Sequence, residues 1–370
     1  MTREPKLYNC DNLEEHHYNW NLKDAIFTKD KGKVFSCFAC GGGSTMGYKL
    51  AGFDVLGCNE IDKKMITAYK ANHNPKYAYC EPIQTFKLRD DLPQELYELD
   101  ILDGSPPCSS FSMSGEREDG WGKEKIFREG QALQVLDTLF FDFIDLAKKL
   151  QPKVIIAENV KGLLLGEAKQ YVIQIYRQLE EAGYNVQHWL LDASKMGVPQ
   201  RRERVFFIAL RNDLCEQFNH QKDMFTISPK LNLKFNEPPI LFNEFYQKGI
   251  DDRGTDFKGK MYNYWEGRKY GDENMGEAVF RIDGKHSYFS NKLLYQDMIP
   301  MTITSNNDCI YLYDEYRRPN KYEACCIGSY PQDYNFTNVR YNYLIGMSVP
   351  PLMIAKIGNE IYKQWLSKLQ

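Results

Sequence analysis

The chain has 370 residues, 43% hydrophobic and 26% charged, with a net charge of -3 and a pI near 6.1. Such a composition excludes a chain disordered over most of its length, and its slight acidity excludes coating of nucleic acid through bulk positive charge while leaving room for a local basic cleft. The length suits one large domain plus a smaller one, and no apolar run approaches the roughly 18 residues of a membrane span.

Residues 1–32 are polar and read as an N-terminal arm. His16 and His17 stand side by side in "NLEEHHYNW". Adjacent residues point to different sides of a helix, so a solvated helix or arm is expected here. The start "MTREPKLYNCDN" has no basic head followed by an apolar core, so no signal peptide is visible. A cytoplasmic location with reduced thiols is expected. Cys37-x-x-Cys40 has metal or redox spacing, yet no second ligand pair lies at a zinc-like distance, and no metal is expected.

From Val34 short apolar strands alternate with amphipathic helices, which predicts an α/β fold: a parallel sheet with helices on both faces. Strands are expected near 33–38, 54–59, 99–103, 153–157, 186–191 and 204–210. Helices are expected over 128–150, ending in lysines that suit a helix C-terminus, and over 168–182, closed by Gly183. After Asn212 the alternation fails, and residues 213–298 read as a second, smaller domain rich in tyrosine, phenylalanine, asparagine and glycine. From 299 short strand signals return, and "PPLMIAKIGNEIYKQWLSKL" is an amphipathic helix expected to pack back on the first domain.

Four stretches carry chemistry. In "VFSCFACGGGSTMGYKLAGFDVLGCNEID" a strand runs into Gly41, Gly42 and Gly43, then a helix, a second strand and Glu60. Glycines let a backbone approach a ligand, and an acid about 20 residues on can accept both ribose hydroxyls. The spacing is not G-x-G-x-x-G, and only Lys49 is positive near the turn, so a pyrophosphate is not expected; S-adenosylmethionine, with a ribose and an adenine but no phosphate, is favoured. Alternatively the glycines serve tight packing alone.

In "ILDGSPPCSSFSMSG" Pro106 and Pro107 stiffen the loop that follows a strand, so the side chain of Cys108 is aimed rather than free. Taken alone, this thiol suits a nucleophile or a buried core filler equally. "KVIIAENV" ends the next strand on Glu158 and Asn159. "MGVPQRRERVFFIAL" places Arg202 and Arg204 in alternation before another strand, so both can point to the Cys108 rim.

Together these stretches resemble the DNA (cytosine-5)-methyltransferase family, over roughly residues 33–211 and 299–358 and in the family's order. The resemblance implies a Rossmann-like class I methyltransferase sheet formed by residues 33–212 and 299–370, with a target-recognition domain at 213–298. It makes Cys108 the nucleophile, Glu158 the acid that engages the base, and Arg202 and Arg204 the basic pair near a flipped nucleotide. It gives S-adenosylmethionine as cofactor, with Glu60 on the ribose, Glu81 and Pro82 at the adenine, and Leu139 as a cover. Phe38, Ala39, Gly42, Gly43, Ser44, Ile61, Asp103, Pro106 and Ser348 complete the cofactor set that it implies. Double-stranded DNA is the implied partner of a monomer without membrane attachment, and a restriction endonuclease a functional counterpart not physically bound.

The chemistry calls for these residue types. A thiolate adds to carbon 6 of cytosine and makes carbon 5 nucleophilic, and an acid engages ring nitrogen 3. Both ring faces must be reached, so the base has to leave the duplex. Within 213–298 the loop "YNYWEGRKYGDENMGE" is expected to meet DNA.

This sequence departs from the family at Cys40, where glycine is usual, at Glu81, where aspartate is, and at Met347, where asparagine is. "RRPNKYEACCIGSYP" keeps mainly Arg317, Glu323, Tyr330 and Pro331 of a longer family pattern. Three other readings fit these residues less well. A tRNA cytosine methyltransferase would carry a Cys-Phe-Thr signature, which is missing; an idle DNA-binding regulator would lack reacting residues, which are present; a nicotinamide oxidoreductase would need other glycine spacing.

Overall fold

The computed structural model describes residues 6–8, 18–107, 124–125, 134–135, 138–165, 168–221, 229–254, 259–305 and 309–369. Cys108, His16 and His17 lie outside the described residues, as does most of 128–137 at the start of the expected long helix.

The scaffold is a seven-stranded sheet: β1 (Lys33–Cys37), β2 (Asp54–Asn59), β3 (Tyr77–Tyr79), β4 (Ile101–Gly104), β5 (Val154–Val160), β6 (Tyr184–Asp192) and β7 (Glu203–Arg211). Their order across the sheet is β6-β7-β5-β4-β1-β2-β3. All neighbours from β5 to β3 run parallel, whereas β7 is antiparallel to both β6 and β5. The expected all-parallel sheet is therefore corrected at one strand. The loop 193–202 between β6 and β7 is shorter than the dozen or so residues a parallel crossover needs, so the chain turns back as a hairpin. The edge strand β3 was not expected; its three residues are all half-buried and make no apolar run.

Alternation along each strand divides the core between two faces. Val34, Ile101, Val154, Ile156, Phe206 and Ile208 face one layer, and Phe35, Leu102, Ile155, Ala157, Val205 and Phe207 face the other. The first layer is closed by α1 (Gly43–Leu50) and the C-terminal helix α9 (Pro351–Gln364), which meet where a Cβ on Gly47 would lie 2.5 Å from Ile354. The second layer holds α3 (Leu139–Leu150) and α4 (Lys169–Glu181). Gly183, at φ +92°, turns the chain out of α4 into β6. Lys149 in the last turn of α3 donates to the carbonyls of Lys87 and Arg89.

Residues 259–316 build a separate small core. Tyr264 of α5 (Lys260–Glu266), Met275 and Val279 of α6 (Met275–Asp283), Leu293 of β8 (Lys292–Leu294), Tyr311 of β9 (Ile310–Leu312) and Tyr316 pack together. Leu231, Leu233, Phe242 and Phe245 instead join the main core. A buried ion pair braces this region: Arg317 holds Glu323 on α7 (Lys321–Gly328) through two hydrogen bonds of 2.7 and 2.9 Å and donates to the carbonyl of Gln247 at 2.7 Å.

The expected solvated arm is corrected where it is described. Tyr18 and Trp20 are buried, Trp20 donates its indole N–H to Ser329, and Asp333 accepts from the amides of Leu22 and Lys23. Two large aromatic rings outweigh the polar average of the segment. No described helix is long and apolar enough to cross a membrane.

Candidate active site

Between β1 and β4 the chain changes direction across the sheet, the place where such folds open a crevice at the strands' carboxyl ends. A cavity partly open to solvent lies there. Phe38, Glu60, Ile61, Glu81, Pro82 and Leu139 of the expected cofactor set line it. So do Cys40, Asn59, Asp62, Met65, Ile83, Ser105, Pro107, Tyr343 and Met347, which were not in that set. Tyr343 and Met347 sit four residues apart on α8 (Tyr341–Met347), so one helical face reaches the cavity, a spacing readable from the sequence.

Glu60 stands just past the end of β2. Its carboxylate accepts from the backbone N–H of Cys40 and of Asp62, both at 2.8 Å. Burial pushes it up to about 7 against the pull of those N–H donors. Asp62 in turn caps α2 (Lys63–His73), accepting from Lys64 and Met65. Asn59 donates to the carbonyl of Glu81 at 2.9 Å, which ties the two acidic corners of the cavity together.

The glycine turn is gripped from behind. A Cβ on Gly41 would lie 2.6 Å from Leu344, one on Gly42 2.2 Å from His73 Nε2, and one on Gly43 2.3 Å from the carbonyl of Val349. Gly42 also holds φ +86°, a conformation costly for other residues. Tyr334 donates its hydroxyl to Gly41. The packing role of the three glycines, left open above, is thus present in full. Gly42, Gly43, Ala39 and Ser44 form the back and floor of the turn and do not line the cavity.

Asp103, Pro106 and Ser348 also sit behind the cavity wall. Asp103 accepts from Ser36 at 2.7 Å and Tyr48 at 3.0 Å, and burial pushes it up to about 7. Pro106 accepts from the Asn159 amide at 3.2 Å, which fastens the start of the Cys108 loop to β5 beside Glu158. Ser348 donates to the carbonyl of Leu344. Burial lifts the Cys40 thiol to about 12, so it stays protonated.

On the neighbouring rim Glu158, near the end of β5, meets Arg204 of β7, its Oε1 2.9 Å from the arginine Nε. Arg202 points elsewhere. Only 3% exposed, it donates to the carbonyls of Ile303, Gly346 and Ser348, each at 2.9 Å. Burial and the nearby Arg204 lower it to about 9. Arg204 and Glu158 come together, whereas Arg202 ties the loop 303–305 to the end of α8.

The cavity fits S-adenosylmethionine. Three acids line it, Glu60, Asp62 and Glu81, and among its described lining residues there is no lysine or arginine. A pyrophosphate would be repelled, while ribose hydroxyls, an amine and a sulfonium would be accepted. Among the described residues no group of three or more His, Cys, Asp or Glu is placed to hold a metal ion.

Comparison with known proteins agrees with this geometry. The family model for C-5 cytosine-specific DNA methylase matches residues 32–363. The chain is 37% identical over 185 residues to the Type II methyltransferase M.FnuDI of Fusobacterium nucleatum, covering 49% of this chain and 48% of the relative. It is 27% identical over 351 residues to M.Bsp6I of a Bacillus strain, covering 90% and 99%. The chain thus spans about half the length of M.FnuDI and nearly all of M.Bsp6I. In fold it is similar to a mutant DNMT2 from Spodoptera frugiperda, with a TM-score of 0.58, 17% identity and coverage of 89% and 99%.

Proposed function

The chain belongs to the C-5 cytosine-specific DNA methylase family, and from that premise we propose that it methylates carbon 5 of a cytosine within a specific duplex DNA sequence through a covalent Cys108 adduct. The observation that carries this reading is the pairing of an acidic cofactor cavity, with no lysine or arginine among its described lining residues, with a rim where Glu158 and Arg204 stand beside the fastened Pro106-Pro107 turn.

Bound S-adenosylmethionine supplies an electrophilic methyl group. Glu60 holds the ribose hydroxyls, Glu81 the adenine, and Phe38, Pro82 and Leu139 shield the rings from water. Cys108 adds as a thiolate to carbon 6 of the flipped cytosine. Glu158 hydrogen-bonds or protonates ring nitrogen 3, and Arg204 orients Glu158 while its charge favours the thiolate. Arg202 acts at one remove by fixing the segment around Ser348. After transfer a base removes the proton from carbon 5 and the thiol leaves, restoring the aromatic ring.

Residues 213–298 serve as the target-recognition domain in this reading, with the exposed Lys269 and Tyr270 of the "YNYWEGRKYGDENMGE" loop toward DNA. Arg268 of that loop is structural: its guanidinium lies 3.2 Å above the Trp265 ring and donates to Tyr313. The biological role is that of a restriction-modification, phage or solitary methyltransferase, acting as a monomer in the cytoplasm.

The test is nucleoside mass spectrometry of unmethylated DNA incubated with S-adenosylmethionine and the protein, or Cys108→Ser. 5-Methyldeoxycytidine with the native protein alone is expected. Its absence from a folded protein that binds the cofactor would sink the DNA reading, and equal product from the serine variant would sink the covalent route.

A further inference from the structure

We infer that Arg89 is a positioning residue that sets the adenine preference of the cofactor site by holding Glu81. The inference rests on the cofactor reading above and adds to it a residue outside the cavity wall.

Arg89 Nη1 donates to Glu81 Oε1 at 2.9 Å. The rest of its guanidinium is pinned independently of the cavity. Nε and Nη2 make a two-pronged pair with Asp91 at 2.8 and 2.6 Å, and the guanidinium carbon lies 5.2 Å from the centre of the Tyr79 ring. The Arg89 carbonyl accepts from Lys149 on α3. Tyr79 packs against Phe86 at 4.8 Å, and its carbonyl accepts from the backbone of Glu60 at 3.0 Å. Arg89 is therefore a fixed donor: Asp91 takes two of its five N–H groups, and Nη1 presents another to Glu81.

A carboxylate accepts through both oxygens. With Oε1 engaged by Arg89 and the Glu81 backbone held by Asn59, Oε2 is the acceptor left for a donor in the cavity. The exocyclic amine of adenine is such a donor. Hypoxanthine has an oxygen at that position, and a carboxylate aimed at it would repel it. Glutamate is longer and less rigid than the aspartate usual here, and Arg89 removes the rotamer freedom that the extra methylene adds.

The experiment is calorimetric binding of S-adenosylhomocysteine and of S-inosylhomocysteine to the full chain, its Arg89→Met variant and its Asp91→Asn variant. Native protein should prefer the adenine compound by roughly tenfold or more, as one charge-assisted hydrogen bond gives. Arg89→Met should weaken S-adenosylhomocysteine about five- to tenfold and leave S-inosylhomocysteine within twofold. Asp91 is exposed, so Asp91→Asn keeps the fold and should move the same ratio in the same direction by less. Equal weakening of both compounds in Arg89→Met, or an unchanged ratio in both variants, overturns the inference while leaving the cofactor reading standing. Failure of the native protein to bind S-adenosylhomocysteine overturns both.

Discussion

The cofactor cavity and the rim of Glu158 and Arg204 lie at the carboxyl ends of strands of one sheet, yet they differ in charge: one is acidic and the other is a balanced pair. Glu60, Asp62 and Glu81 make the cavity acidic, whereas on the rim Arg204 is matched by Glu158 and Arg202 is buried on backbone carbonyls. A cationic methyl donor is then drawn to the cavity, while the rim offers a paired acid and base rather than a second acidic surface. Each acid or base is also held by the scaffold: Glu60 by two backbone N–H groups, Arg202 by three carbonyls. The division is thus written into the backbone as much as into the side chains.

The strongest way to break the comparison is Glu158→Gln. Methyl transfer should fall by about 10²–10⁴-fold, while S-adenosylhomocysteine affinity stays within twofold. A matching loss of affinity would mean that the two regions are one site.

Arg202→Met should separate scaffold from rim. It leaves the carbonyls of Ile303, Gly346 and Ser348 without their donor, so urea unfolding should show a loss of about 3 kcal/mol or more. Arg204→Met should instead reduce transfer while costing less stability, since it leaves no trio of buried carbonyls behind. The reverse pattern would reassign the two arginines.

Gly42→Ala tests the turn. The methyl meets His73 and the backbone must keep φ +86°, so about 2 kcal/mol of stability should be lost together with much of the thermal shift given by S-adenosylhomocysteine. An unchanged shift would show that the turn has room to give.

The smallest effect is on pH. Burial raises Glu60 from 4.5 to about 7, so between those values the folded chain keeps a proton that the unfolded chain has released. Its contribution makes stability decline as pH rises through that window, with the full penalty above about 7. Ribose hydroxyls favour the carboxylate, so S-adenosylhomocysteine should bind up to about tenfold tighter at pH 8 than at pH 6. Glu60→Gln should flatten that profile; a slope that survives the substitution points to Asp103, the other acid raised to about 7.

Much of this was legible in the sequence. Six of the seven strands carry apolar runs, and the motifs around Glu60, Glu81 and Glu158 stand at strand ends where periodicity puts them. The direction of β7 was not legible, because alternation reports which face a residue takes and not which way the strand runs. Alternation also placed Arg202 and Arg204 side by side, but it holds only inside a strand, and Arg202 lies in the loop before Glu203. Tyr343 was hidden because the helix that carries it lies nearly the whole chain away from the glycine turn, whereas Met347 stood out as a departure from the family's asparagine. Trp20 was hidden in a polar segment whose average outweighed its one large ring.

The grip of the C-terminal segment on the glycine turn has a consequence for synthesis. Tyr334 and Gly41 are 293 residues apart, so at about 5–20 residues per second the turn leaves the ribosome roughly 15 to 60 s before its partners exist. Throughout that interval the nascent chain carries the glycine turn without the segment that grips it. A ribosome stalled short of residue 334 would therefore present a chain that holds the glycine turn and Glu60 but lacks the segment that closes the turn from behind.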